Sequence, residues 1–122
     1  MKRHYLSIAL LIIITCLSLL PIREVPGSDV PFADKWAHWL MYGTLTIVIL
    51  WESRKKNGAY SAWRTIYPVL LSLTWGGLME LAQANLTTTR SGEWLDFAAN
   101  SFGAICGALL YHAVRRATAR RA

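Results

Sequence analysis

Nine side chains of this 122-residue chain could together do chemistry: Asp34, Lys35, His38, Tyr42, Glu80, Gln83, Arg90, Asp96 and Asn100. Histidine moves protons near neutral pH, carboxylates orient it or neutralise cations, and arginine grips a phosphate or carboxylate through two parallel hydrogen bonds. Lysine adds a point charge, and Tyr42, Gln83 and Asn100 add neutral donors and acceptors. Their spacing is helical. At about 100° per residue, Asp34, Lys35, His38 and Tyr42 share an arc of about 100° on one helix. Gly76, Glu80 and Gln83 share about 60° on a second, and Asp96, Asn100, Gly103 and Gly107 about 60° on a third.

The elements that must carry these residues are apolar. Leu6 to Leu20, Trp36 to Trp51, Ile66 to Met79 and Phe97 to Val114 contain no Asp, Glu, Lys or Arg. The chain as a whole is 54% apolar and 16% charged, with a mean hydropathy of +0.31. A soluble domain surrounds its core with a shell in which about a quarter of the residues are charged, and this chain lacks the charges for one. The hydrophobicity excludes disorder and the length excludes several domains. The expectation is one all-α domain over 1–122, a four-helix transmembrane bundle with spans at about 5–20, 36–51, 62–84 and 94–114.

The net charge of +6 and the isoelectric point near 9.8 could suggest nucleic acid, but position decides otherwise. Lys2, Arg3, Arg54, Lys55, Lys56, Arg64, Arg115, Arg116, Arg120 and Arg121 flank one side of the spans, and Arg23, Lys35 and Arg90 the other. The asymmetry is that of the positive-inside rule, so both termini and the loop after residue 51 are expected in the cytoplasm, with no nucleic-acid partner. Six of the seven acids fall on the outer side. Lys2 and Arg3 precede a 15-residue apolar stretch, the layout of a signal peptide, yet no A-x-A-like site follows and the stretch reads as the first span. Cys16 and Cys106 lie in apolar runs as packing residues.

The polar residues gather near the outer ends of three spans. A buried ionisable group costs about 2.5–3.5 kcal/mol on insertion scales. A polar interhelical contact returns about 0.6 kcal/mol. Several such groups on one side of a small bundle exceed what helix register needs. Gly103-x-x-x-Gly107 permits close approach by a neighbouring backbone, and Gly76 is expected to pack in the same way.

Asp34-Lys35-x-x-His38-x-x-x-Tyr42, then Gly76-x-x-x-Glu80-x-x-Gln83, then Arg90-Ser91 followed by Asp96-x-x-x-Asn100-x-x-Gly103-x-x-x-Gly107, resembles the VanZ-like family over about Asp34 to Tyr111. The resemblance implies a small integral protein of the bacterial cytoplasmic membrane, in a family named for a member linked to teicoplanin resistance. It supplies no catalytic residues to carry over.

The residues themselves support an envelope accessory protein in which Arg90 and Lys35 meet an anionic lipid headgroup, such as a lipid-linked glycan precursor or a polyprenyl phosphate, and the groove beside Gly103 and Gly107 takes its chain. One alternative is an intramembrane enzyme acting on a lipid-linked phosphate, with His38 as base or nucleophile and Asp34 or Glu80 orienting it. Another is a purely structural polar network. No nucleophile motif, HExxH or carboxylate-rich magnesium motif accompanies His38, which weighs against an enzyme; no metal or cofactor is expected, and His38, Asp34, Glu80 and Asp96 lack a metal-spacing signature. Tyr111 and His112 are expected as interfacial anchors, leaving the cytoplasmic half closed to an ion path.

Overall fold

A computed structural model of the chain describes residues 4–19, 33–54, 61–87 and 93–121. Among them the chain is all-α, with helices α1 (Tyr5–Leu19), α2 (Ala33–Ser53), α3 (Trp63–Leu86) and α4 (Trp94–Arg121), and no strand. Arg90, expected at the polar site, lies outside the described residues. The helices begin and end close to the expected limits, except that α4 continues past 114 to Arg121. Arginine and alanine are strong helix formers, and Arg120 and Arg121 in the last turn complement the negative end of the helix dipole, so the charge that ends the apolar run does not end the helix. Pro68, a turn and a half into α3, is tolerated and buried.

α2 is the central element. Its seam with α4 is close because glycine removes the side chain at the crossing. A Cβ on Gly103 would run into the Trp39 carbonyl oxygen and lie 2.9 Å from the Trp39 Cα; one on Gly107 would meet the Gly43 carbonyl oxygen and lie 3.0 Å from the Gly43 Cα. Gly103 and Gly107 thus admit the α2 backbone, and Gly43 on α2 completes the contact. Gly76 works differently: a Cβ there would stand 3.0 Å from Asn100 Nδ2 and 3.3 Å from Tyr42 Cε1, so its absence makes room for two polar side chains rather than for a backbone.

The apolar core is small, formed by Ile14, Tyr42, Leu45 and Ile49 with Leu10, Leu11, Met41, Leu71 and Trp75 packed around it. Much of the rest of the interior is polar. Ser7, Ser18, His38, Thr46, Ser72, Glu80, Gln83, Asp96 and Asn100 are all buried. Thr46 donates to the Tyr42 carbonyl at 2.9 Å and stands 2.8 Å from the Ser72 hydroxyl, joining α2 to α3. The outside is apolar, with Ile8, Ile12, Leu40, Leu70, Leu81, Phe102, Leu109 and Leu110 all exposed. By length and apolarity α4 qualifies as a membrane span, and α1, at 15 residues, is a shorter apolar helix. Of the four expected spans, α2 and α3 fall short of that measure because their inner faces carry the polar residues.

Glu52, the one acid expected on the cytoplasmic side, has a structural task. It stands one residue past the apolar run that ends at Trp51 and receives the backbone N–H groups of Leu6 (2.9 Å) and Ser7 (3.1 Å), together with the Ser7 hydroxyl. These are first-turn amides of α1 with no partner inside the helix, so a carboxylate from α2 caps α1. Burial raises the Glu52 pKa, but the donors from Ser7 and Leu6 outweigh it and hold the group below the ordinary value of 4.5. A pKa lowered by folding stabilises the fold fully above the unfolded value and loses that contribution as pH falls through the folded one. Glu52→Gln is therefore expected to cost about 1 kcal/mol at neutral pH. Melting curves between pH 7 and pH 3 should show the wild type falling toward the variant; parallel curves would remove Glu52 from this role.

Candidate functional site

The polar residues singled out by spacing meet where the N-terminal ends of α2 and α4 adjoin the C-terminal end of α3. α2 brings Asp34, Lys35, His38 and Tyr42; α3 brings Glu80 over the gap left by Gly76; α4 brings Asp96 and Asn100. Asp96 lies in the first turn of α4, where a carboxylate is favoured by the exposed amides and the dipole. Glu93, immediately before that helix, accepts the Asp96 and Phe97 amides through its carbonyl at 3.0 and 3.3 Å.

Lys35 is the hub of the outer part. Its ammonium stands 2.7 Å from Asp34 Oδ2, 2.8 Å from Glu93 Oε2 and 2.5 Å from Asp96 Oδ1. Burial works against the charged ammonium, yet Asp34, Asp96 and Glu93 outweigh it and hold its pKa above the ordinary lysine value. The hydrogen bond from Lys35 in turn holds the Asp34 carboxyl below its own. Glu93 is the site residue that spacing alone missed. Its signal was its position, an acid directly preceding a helix whose first turn carries another.

The inner part is buried. His38 Nδ1 lies 2.8 Å from Asn100 Oδ1, and its other ring nitrogen, Nε2, lies 3.8 Å from Asp96 Oδ2. Glu80 Oε2 accepts the Glu93 backbone N–H at 3.1 Å, which ties α3 to the start of α4. Glu80 Oε1, the Tyr42 hydroxyl and Asn100 Nδ2 are buried without a hydrogen-bond partner among the described residues. His38, Glu80 and Asp96 each place one ligand-type atom within 4.8 Å of the others.

Gln83 departs from this picture. Although the helical angle puts it near the Glu80 face, its Nε2 donates to the Ser18 carbonyl at 2.9 Å and so fastens α3 to the last turn of α1. The offset of about 60° from Glu80 is enough to turn it toward a different neighbour. At the opposite end of the bundle, His112 is not simply an anchor, since it lies 2.8 Å from the Thr65 hydroxyl and joins α4 to α3.

A groove of about 200 Å³ runs along the outside of the α2–α4 seam between Trp39 and Leu110, floored by Gly43, Gly103 and Gly107. It starts at Trp39, next to His38, and at Gly103, one turn from Asn100, and is lined almost wholly by apolar atoms. No family model, curated protein or solved structure matches this chain.

Proposed function

We propose that the chain is a multi-pass protein of the bacterial cytoplasmic membrane, akin to the VanZ-like proteins, that serves the cell envelope by binding the headgroup of an anionic lipid at its outer polar cluster. The observation that carries the membrane reading is the inverted distribution of polarity. Serine, threonine, glutamine, histidine and two carboxylic acids are buried while leucine, isoleucine and phenylalanine side chains face outward, the arrangement favoured where the solvent is hydrocarbon.

Exposed aromatics mark both ends of the bundle. Trp36 and Trp94 stand beside the polar cluster, and Tyr5, Trp51, Trp63 and Tyr67 stand at the other end. Trp36 and Trp51 are separated by about 22 Å along α2, at 1.5 Å per residue, so the two groups suit the two interfaces of a thin bilayer. The basic residues Arg54, Arg64, Arg115, Arg116, Arg120 and Arg121 all belong to the second end, which makes that end cytoplasmic.

The binding reading draws on the cluster and the groove together. A headgroup at the mouth could place its acyl or prenyl chain along Gly43, Gly103 and Gly107. Lys35 is shared among three carboxylates, so it orients acids more than it offers free charge, and the bidentate phosphate contact falls to Arg90 by its chemistry.

Two measurements test this. Alkaline phosphatase fused after Ser28 is expected to be active and fused after Arg121 silent; the reverse pattern defeats the topology. Native mass spectrometry of the detergent-purified chain is expected to show a retained lipid that Arg90→Gln loses while keeping its melting temperature. A folded wild type carrying no lipid removes the binding role.

A further inference from the structure

We propose that His38, Glu80 and Asp96 form a buried binding site for one divalent transition-metal cation, with Asn100 orienting the histidine. The inference goes beyond the lipid-binding role and does not depend on it.

The three residues come from three helices, are each buried, and offer one nitrogen and two carboxylates whose ligand atoms lie within 4.8 Å of one another. A zinc-sized ion bonds nitrogen and oxygen at about 2.0–2.2 Å, so ligand atoms separated by 3–4 Å are close to a coordination shell. The His38 Nε2 to Asp96 Oδ2 separation of 3.8 Å falls in that range.

The hydrogen bonds around the cluster are those a metal needs. Asn100 Oδ1 lies 2.8 Å from His38 Nδ1; with the ring proton on Nδ1, Asn100 accepts it and Nε2, which faces Asp96, is free to ligate. A ligating histidine characteristically gives its other N–H to an oxygen in this way. Glu80 uses Oε2 to receive the Glu93 amide, and its second oxygen, Oε1, is buried with no partner among the described residues. An imidazole and two carboxylates thus converge; Lys35 contacts Asp96 through Oδ1, while Glu80 Oε1 has no partner among the described residues, an arrangement that suits a further cation.

Lys35 supplies it only in part, at Asp96 Oδ1. Asp34, Glu93 and Asp96 form a second acidic set with ligand-like spacing, but there the ammonium already sits within 2.8 Å of all three. The outer set therefore has its cation built in, whereas among the described residues no lysine or arginine stands within ion-pair distance of Glu80. One imidazole with two carboxylates suits zinc or manganese better than magnesium or calcium, which prefer oxygen alone.

The test uses the full chain, purified in detergent without a histidine tag, stripped with a chelator and titrated with Zn²⁺ or Co²⁺ alone. One equivalent is expected to bind and raise the melting temperature, and Co²⁺ is expected to give visible ligand-field bands that Zn²⁺ abolishes. Asn100→Ala should weaken binding by about 10–100-fold, and Glu80→Gln and His38→Gln by at least as much. The chain has three histidines, so the double variant His4→Gln/His112→Gln, with only His38 left, should keep the Co²⁺ bands. This arm decides the matter even if His38→Gln fails to fold. Absence of stoichiometric binding to the folded wild type, loss of the bands in the His4/His112 variant, or unchanged affinity in Glu80→Gln overturns the site.

Discussion

Gly103→Ala is expected to be among the most damaging single-methyl changes in the molecule. The added carbon would meet the Trp39 carbonyl oxygen and stand 2.9 Å from the Trp39 Cα, and these are backbone atoms that cannot rotate aside. α2 and α4 would have to move apart along the seam. Overpacking costs about 1–3 kcal/mol where side chains can adjust, so a clash with backbone should sit at or above the top of that range. Gly107→Ala, facing the Gly43 backbone, should behave alike. Gly77→Ala is the internal control, because its Cβ would meet the Phe97 ring, Cε2 at 3.4 Å and Cδ2 at 3.8 Å, in ordinary contact. Since alanine favours a helix over glycine by up to about 1 kcal/mol, that change should be neutral or stabilising. Thermal melting of the three variants in one detergent checks the order; equal melting temperatures would show that the seam is not closed by glycine. The damage at Gly103 should also reach the polar site, since His38 and Asn100 face each other one turn away across the same seam.

Lys35→Met is expected to give the second large effect, by stranding negative charge. Breaking one side of a buried ion pair costs about 3–5 kcal/mol. Asp96, with a side chain 10% exposed, belongs to that class, while Asp34 and Glu93, at 61% and 50%, are solvated and lose little. A loss on the order of 3 kcal/mol is therefore expected, nearly all of it through Asp96. The double change Lys35→Met/Asp96→Asn should recover most of that loss, because it removes the stranded charge together with its partner. Lys35→Met/Asp34→Asn should recover almost none. Equal rescue by the two would mean that Lys35 acts through its bulk and not through the pairing geometry. Because the carboxylates hold the ammonium protonated, the effect should persist at alkaline pH.

The two experiments address one arrangement from opposite sides. The glycine seam sets how closely α2 and α4 approach, and that distance places Lys35 against Asp96 and His38 against Asn100. Neither helix could hold these pairs with a larger residue at the crossing. The site is thus a consequence of packing one to two helical turns below it as much as of the residues that compose it.

Much of this was legible in the chain. The apolar runs marked the helices, and the α-helical repeat gathered Asp34, His38 and Tyr42 on one face and Asp96, Asn100, Gly103 and Gly107 on another, because a residue's angular position within a helix is set by local backbone geometry alone. That His38, Glu80 and Asp96 meet could be anticipated from their common depth in successive helices. What local geometry leaves open is the rotation of each helix about its axis relative to its neighbours and the partner a long side chain reaches. The tertiary structure decided those. It turned Gln83 to the Ser18 carbonyl of α1, sent Glu52 to the first turn of the same helix, and brought Glu93 to Lys35 across 58 positions in sequence. It also chose Trp39 and Gly43 as the backbone that Gly103 and Gly107 admit. Each of these is a contact between helices, and its energy depends on close packing and the desolvation of polar atoms, quantities that exist only once the helices are assembled.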